Sequence, residues 1–290
     1  MKKNLKKLRS MNKNSIRIKA FAKVNLTLEV LGERNDGYHE LRSIVMPISL
    51  FDEIEVAKDR GISCDSGIEG DLMVKAAELL NIPGCRIHIR KNIPLGGGLG
   101  GGSADAAAVL NALNELYSLG LSREALAQKG AKIGSDIPAL VYRQAVIMEG
   151  RGEIVTPLFD ENVQCPQFFM VLVNPRIHCQ TKEVFKKLTS CVTNTSKILY
   201  NMRTSLLKGD LRLLAHNLWN DLELPAMQLH PEIRDLKKRM QNMPSILGSL
   251  MSGSGSSVFG IVSSRDSANE VANELRELGY DAWSVNTIVR

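Results

Sequence analysis

Residues 96–102 read GGGLGGG, six glycines in seven positions, and the chain passes from them at once into the alanine-rich run SADAAAV. Glycine loses more conformational freedom on folding than any other residue, so such a run is disfavoured unless the backbone itself is wanted. The preceding RIHIR (86–90) alternates as a strand, and Ala106, Val109, Leu110, Leu113, Leu116 and Tyr117 recur at spacings of three and four, which predicts an amphipathic helix over 103–118. Glycines placed between a strand and a helix start let backbone amides and the positive helix end converge on one anion. This loop therefore reads as a phosphate cradle. It is not a Walker loop, because Gly-Lys-Ser/Thr is missing from the sequence. Gly96, Gly98 and Gly101 formally meet the dinucleotide pattern, but the acid expected about 20 residues on at a strand end is missing.

The rest of the chain supplies a mixed α/β context. In FAKVNLTLEVLG, Val24, Leu26, Leu28 and Val30 alternate with Lys23, Asn25, Thr27 and Glu29, the pattern of a strand with one apolar and one polar face. Asp36-Gly37 marks a tight turn that presents Tyr38 and His39. Residues 52–58 read as a strand, 72–80 as a helix, and Ser122 caps a helix running to near Gly134. Beyond Pro157 and Pro166, which bracket a polar stretch and mark a domain boundary, FFMVLV (168–173) and SVFGIV (257–262) read as buried strands and 282–289 as a final one. The expected organisation is a basic extension at 1–19, a nucleotide-binding domain at 20–160 and a substrate-binding domain at 161–290.

Charge is concentrated in a tail that can bind anionic surfaces weakly but reads better as a solvated extension. Residues 1–19 carry eight Lys or Arg and no acid, so of the net +6 the other 271 residues hold 6 − 8 = −2. The body has no basic stripe interleaved with aromatics, which argues against nucleic acid. No apolar run is long enough to cross a bilayer. Five widely spaced cysteines without a CxxC pair argue against a disulfide framework or a zinc site and fit a reducing cytoplasm.

PLGGGLGGGSADAA, AKVNLTLEVLGERNDGYHEL, GSDIPAL (134–140) and MSGSGSSVFGIV (251–262) together resemble the motifs of the GHMP kinases, in order, and most of all the branch acting on cytidine-diphosphate methylerythritol. The resemblance implies an α+β two-domain fold, an N-terminal α/β nucleotide-binding half and a ferredoxin-like C-terminal half whose last strand packs on the first. It implies ATP-dependent phosphoryl transfer, with Mg²⁺, to the 2-hydroxyl of that small-molecule substrate in non-mevalonate isoprenoid biosynthesis, by a monomer or weak homodimer. Lys23 and Asp136 match the catalytic pair. Pro94, Leu95, Gly96, Gly97, Gly98, Leu99, Gly100, Gly101, Gly102, Ser103 and Ala104 would hold the ATP phosphates, with the Ser103 hydroxyl serving the metal or capping the helix. Asn25, Tyr38, His39, Thr181 and Phe185 would bind the substrate, with Gly253, Ser254 and Gly255 closing over it. The chain departs from the pattern at Asp71, where an adenine-side asparagine is usual, and at Ser135, Ala139 and Leu140 beside Asp136.

Overall fold

The computed structural model describes residues 14–68, 71–160, 163, 165–188 and 197–288. Residues 1–13 of the basic segment, Cys191 and residue 289 of the expected final strand lie outside them.

A seven-stranded sheet organises the N-terminal half. Its spine is a long antiparallel pair, β1 (Ser15–Glu33) and β2 (His39–Lys58), joined through the Asp36-Gly37 turn, where Gly37 has φ 80° and Asp36 Oδ1 accepts from the Tyr38 N–H at 3.1 Å. β3 (Gly61–Cys64) and β4 (Gly84–Arg90) extend the sheet beside the second half of β2, and β5 (Val146–Gly150) pairs with its first half and with β6 (Ile154–Pro157). β1 begins at Ser15, so residues 15–19 are strand rather than extension: Ile16 and Ile18 alternate with Arg17 and Lys19 and pack on the core. The strand expected at 52–58 is only the end of a 20-residue one.

Helices α1 (Leu72–Glu78), α2 (Gly101–Leu116), α3 (Arg123–Gly130) and α4 (Ile137–Val141) accompany this sheet. Ala106, Val109, Leu110 and Leu113 of α2 are buried against Val56, Ile87 and Met73 in one cluster. α2 starts two residues earlier than its periodicity predicts, because Gly100 in the left-handed region (φ 66°) is its N-cap. Ser122 does cap α3, which ends at Gly130 rather than Gly134.

The C-terminal half holds a four-stranded antiparallel sheet in the order β11-β7-β10-β9, made of β7 (Phe169–Asn174), β9 (Ile246–Met251), β10 (Val258–Val262) and β11 (Asp281–Asn286). Its first crossover passes through α5 (Thr181–Lys186), α6 (Lys197–Lys208), α7 (Leu211–His216), the short β8 (Trp219–Asn220), α8 (Glu223–Leu229) and α9 (Pro231–Gln241), and its second through α10 (Arg265–Glu277). This order and connection are ferredoxin-like. β8 joins β1 in parallel, and just past β11 the Ile288 N–H donates to Pro47 O at 2.9 Å.

One apolar cluster joins the two sheets, with Val24, Leu26, Ile44 and Met46 on one side and Met170, Leu172, Phe259 and Ile261 on the other. Consequently β1 is buried on both faces from Ala22 to Val30, where the alternation suggested a solvated polar face. Partners from β2 make that burial tolerable: Asn25 Nδ2 donates to Ser43 Oγ at 2.8 Å, Thr27 Oγ1 accepts from the Ile44 N–H at 3.1 Å, and Glu29 pairs with Arg42 through two bonds. Among the described residues no helix is long and apolar enough to cross a membrane, and the four described cysteines are free.

Candidate active site

A cleft of ≈ 1180 Å³ opens between the halves, lined by loop 94–103, the turn before α4, the 253–255 loop, the β1–β2 turn and α5. Lys23 lies at its floor, only 3% exposed, with Nζ 2.6 Å from Asn25 Oδ1 and 3.6 Å from Asp136 Oδ2. Asp136 occupies the N-cap position of α4 yet makes no side-chain cap bond, so its carboxylate is left to face Lys23 rather than the helix amides. A Cβ on Gly100 would come within 3.2 Å of the Lys23 stem, and one on Gly253 within 3.1 Å of its Nζ, so three loops meet at this ammonium.

The glycine loop is held by its carbonyls. Gly97 O accepts from the Ser257 N–H at 3.1 Å, Gly98 O from Ser252 Oγ at 3.0 Å, and Leu99 O from the Lys23 N–H at 3.0 Å. Gly98 has φ 74°, and a Cβ there would stand 2.1 Å from Ser252 O, which only glycine avoids. The first-turn amides of α2 have no intrahelical acceptor and no side-chain cap, and they open toward the cleft beside Ser103. An anion there meets oriented N–H groups and the positive helix end together.

The third loop is fixed from below by Asn220, whose Nδ2 donates to Met251 O and Gly253 O, both at 2.8 Å. Thr181 does not cap α5, whose N-cap is Gln180; its Oγ1 instead bonds Ser254 Oγ at 2.8 Å. At the far end of the cleft the rings of His39 and Phe185 pack at 4.7 Å between centroids, and Tyr38 is half exposed with the Arg151 guanidinium 5.3 Å from its ring centre. Every residue expected at the site lines this cleft except Ala104. Ala104 is buried in the core, and its N–H is spent on Gly100 O at 2.7 Å inside α2, so it has no donor to offer a phosphate. Asp71 caps α1 by accepting from the Met73 N–H at 2.7 Å, and Leu72 rather than Asp71 reaches the cleft.

Sequence reasoning missed His178, Lys182, Lys186 and Arg151, which add cationic or titratable groups to the lining. The four-residue spacing of Lys182 and Lys186 around Phe185 on α5 was the available signal. Among the described residues no group of three or more His, Cys, Asp or Glu gathers as a metal cage. Mg²⁺ held largely by nucleotide phosphates asks for only one or two protein oxygens, and the Ser103 hydroxyl, which lines the cleft, would be one.

A glycine cradle at a helix start, a lysine–carboxylate pair and a ferredoxin-like half closing over both define a small-molecule kinase of the GHMP type, and the chain belongs to the GHMP kinases: the model of their N-terminal domain matches residues 71–144 and that of their C-terminal domain 202–281. Within the family it is similar to 4-diphosphocytidyl-2-C-methyl-D-erythritol kinase. The protein of that name from Symbiobacterium thermophilum is 37% identical, covering 94% of this chain and 99% of the relative. The one from Citrifermentans bemidjiense is 39% identical with the same coverage. A crystal structure of 4-(cytidine 5'-diphospho)-2C-methyl-D-erythritol kinase aligns with a TM-score of 0.79 at 32% identity over 94% of this chain and 99% of that one. Homoserine kinase from Cytophaga hutchinsonii shares the fold, with a TM-score of 0.72 at 19% identity over 97% of this chain and 96% of that one.

Proposed function

We propose that the chain transfers the γ-phosphoryl group of ATP to the 2-hydroxyl of 4-diphosphocytidyl-2-C-methyl-D-erythritol, a step of the non-mevalonate isoprenoid route. The observation that carries this reading is the Lys23–Asp136 pair, 3.6 Å apart where the phosphate loop and the 253–255 loop converge. Asp136 accepts the proton of the attacking hydroxyl, whose oxygen bonds the γ-phosphorus as the bond to the bridging oxygen breaks and ADP departs. The Lys23 ammonium, fixed by Asn25, offsets charge on the acceptor oxygen and on the moving group. Loop amides from Gly96 to Ser103 hold the nucleotide phosphates. Mg²⁺, held by the nucleotide phosphates and the Ser103 hydroxyl, would neutralise phosphate charge. Tyr38, His39 and Phe185 take the cytosine, while Thr181 and Gly253–Gly255 close the acceptor side. The division between halves falls at 160/161, and free cysteines favour a reducing cytoplasm.

The experiment is a coupled assay of ADP release with ATP and Mg²⁺, offering the cytidine compound, mevalonate, homoserine and galactose in parallel. Release with the cytidine compound alone is expected. Release with another acceptor only would keep the kinase and overturn the substrate.

A further inference from the structure

Behind the phosphate loop sits a buried charge cluster that the chemistry above leaves unused. Lys91, where the chain leaves β4, has Nζ 2.6 Å from Asp52 Oδ2 of β2 and 2.6 Å from Asp105 Oδ2 of α2. The side chain of Asp52 is 0% exposed, that of Asp105 5% and that of Lys91 26%. Asp52 Oδ1 also accepts from the backbone N–H groups of Asn92 and Ile93, at the entry of the loop. Asp105 Oδ1 is buried without a hydrogen-bond partner. Two carboxyl groups thus share one ammonium, with an unmet acceptor in the interior.

Well-packed apolar residues usually fill such a place at no loss of stability. What the cluster supplies instead is connection: its bonds reach the loop entry at 91–93 and, through Asp105, the second turn of α2 just past the loop exit. The ammonium lies directly behind the loop, 3.6 Å from where a Cβ of Gly101 would stand. None of the three side chains lines the cleft. A loop of glycines has no stiffness of its own, and amides aimed at an anion work only if they are held in place beforehand.

We propose that Asp52, Lys91 and Asp105 form a clamp fastening the two ends of the phosphate loop, with Lys91 and Asp105 as positioning residues that set nucleotide affinity without touching the nucleotide. The proposal rests on the reading of this loop as the phosphate cradle.

The test compares full-length wild type, Asp105→Ala and Asp105→Asn by calorimetric binding of a non-hydrolysable ATP analogue with Mg²⁺, beside thermal unfolding and steady-state kinetics. Asp105→Ala leaves Lys91 paired one to one with Asp52, so no charge is stranded; should it not fold, Asp105→Ser removes the same reach. Asn keeps an acceptor for Lys91 and gains a donor toward Asp52. Alanine should weaken analogue binding and raise the KM for ATP about tenfold, with kcat at saturating ATP within about threefold, as suits the loss of a hydrogen bond to a charged group. Asparagine should stay within about threefold of wild type in both. Wild-type affinity in the alanine variant refutes the clamp. So does a loss that only tracks the unfolded fraction. A wild-type chain that does not bind the analogue overturns the reading of the loop itself, and the clamp with it.

Discussion

Replacing Asp136 by Asn separates chemistry from stability. The carboxylate lies 3.6 Å from Lys23 Nζ, and its side chain is 30% exposed. That is a single contact at long range, and the ammonium keeps its 2.6 Å bond to Asn25 Oδ1 in the variant. Loss of so exposed a partner costs under about 1 kcal/mol of stability, a shift in Tm of a few degrees at most. The barrier is another matter. A positioned base contributes about 10²–10⁴-fold, which is about 3–5 kcal/mol in the transition state. Asp136→Asn should therefore lower kcat in the coupled ADP assay by at least about a hundredfold while the Tm holds. Lys23→Met together with Asp136→Asn should be little worse than the poorer single variant, since groups acting as a unit are not additive. Turnover within about tenfold of wild type would remove Asp136 as the base. A Tm that fell in step with activity would make it a structural residue.

Gly98→Ala must place a methyl 2.1 Å from Ser252 O and 2.8 Å from Gly255 O at φ 74°. Backbone cannot yield to it, so denaturant unfolding should show a loss of at least about 1–2 kcal/mol and kinetics a raised KM for ATP; unchanged values would mean that the two loops do not pack as described. Phe185→Ala should raise the KM for the cytidine substrate about threefold to tenfold, as expected for one lost stacking contact, and leave the KM for ATP alone; equal effects on both would place Phe185 outside substrate recognition. Burial pushes the Asp105 carboxyl up to about 7 against the pull of Lys91, from an ordinary value of 3.8. Because the folded pKa is the higher one, the stability this group contributes is complete below the ordinary value and is lost as pH rises to about 7, with no further change above. Urea unfolding across that window should show the decline in wild type and a flatter profile in Asp105→Asn; equal slopes would refute the assignment.

The site was legible in its glycines and its motifs. The glycine run at 96–102 reads as a phosphate cradle on its own, whereas Asp136 before Pro138 reads alone as a turn or cap residue and stands out only through its place in the motif set; in the structure its side chain caps nothing. The burial of β1 was not legible. Its alternation of Val24, Leu26 and Leu28 with Lys23, Asn25 and Thr27 is the same whether water or protein covers the polar face. What covers it includes the glycine loop at Gly100 and the 253–255 loop, both distant along the chain. Asp105 was unreadable for a similar reason: locally it resembles a helix-start acid, and only the fold brings Lys91 and Asp52 to it. Strands β5 and β6 are too short, at five and four residues, to leave a periodic signal.

The same long-range contacts make the site a property of both halves. Gly97 O and Gly98 O of the glycine loop are held by the Ser257 N–H and the Ser252 hydroxyl of the other half. Lys23, in the first half, has its ammonium beside Gly253 of the second, and Asn220 fixes the carbonyl of that glycine. The glycine loop and the 253–255 loop therefore share one set of bonds, and a displacement of either is felt at Lys23. Under the proposed function this arrangement would couple the placement of the phosphate donor to that of the acceptor hydroxyl, which a phosphoryl transfer that owes its rate to positioning requires.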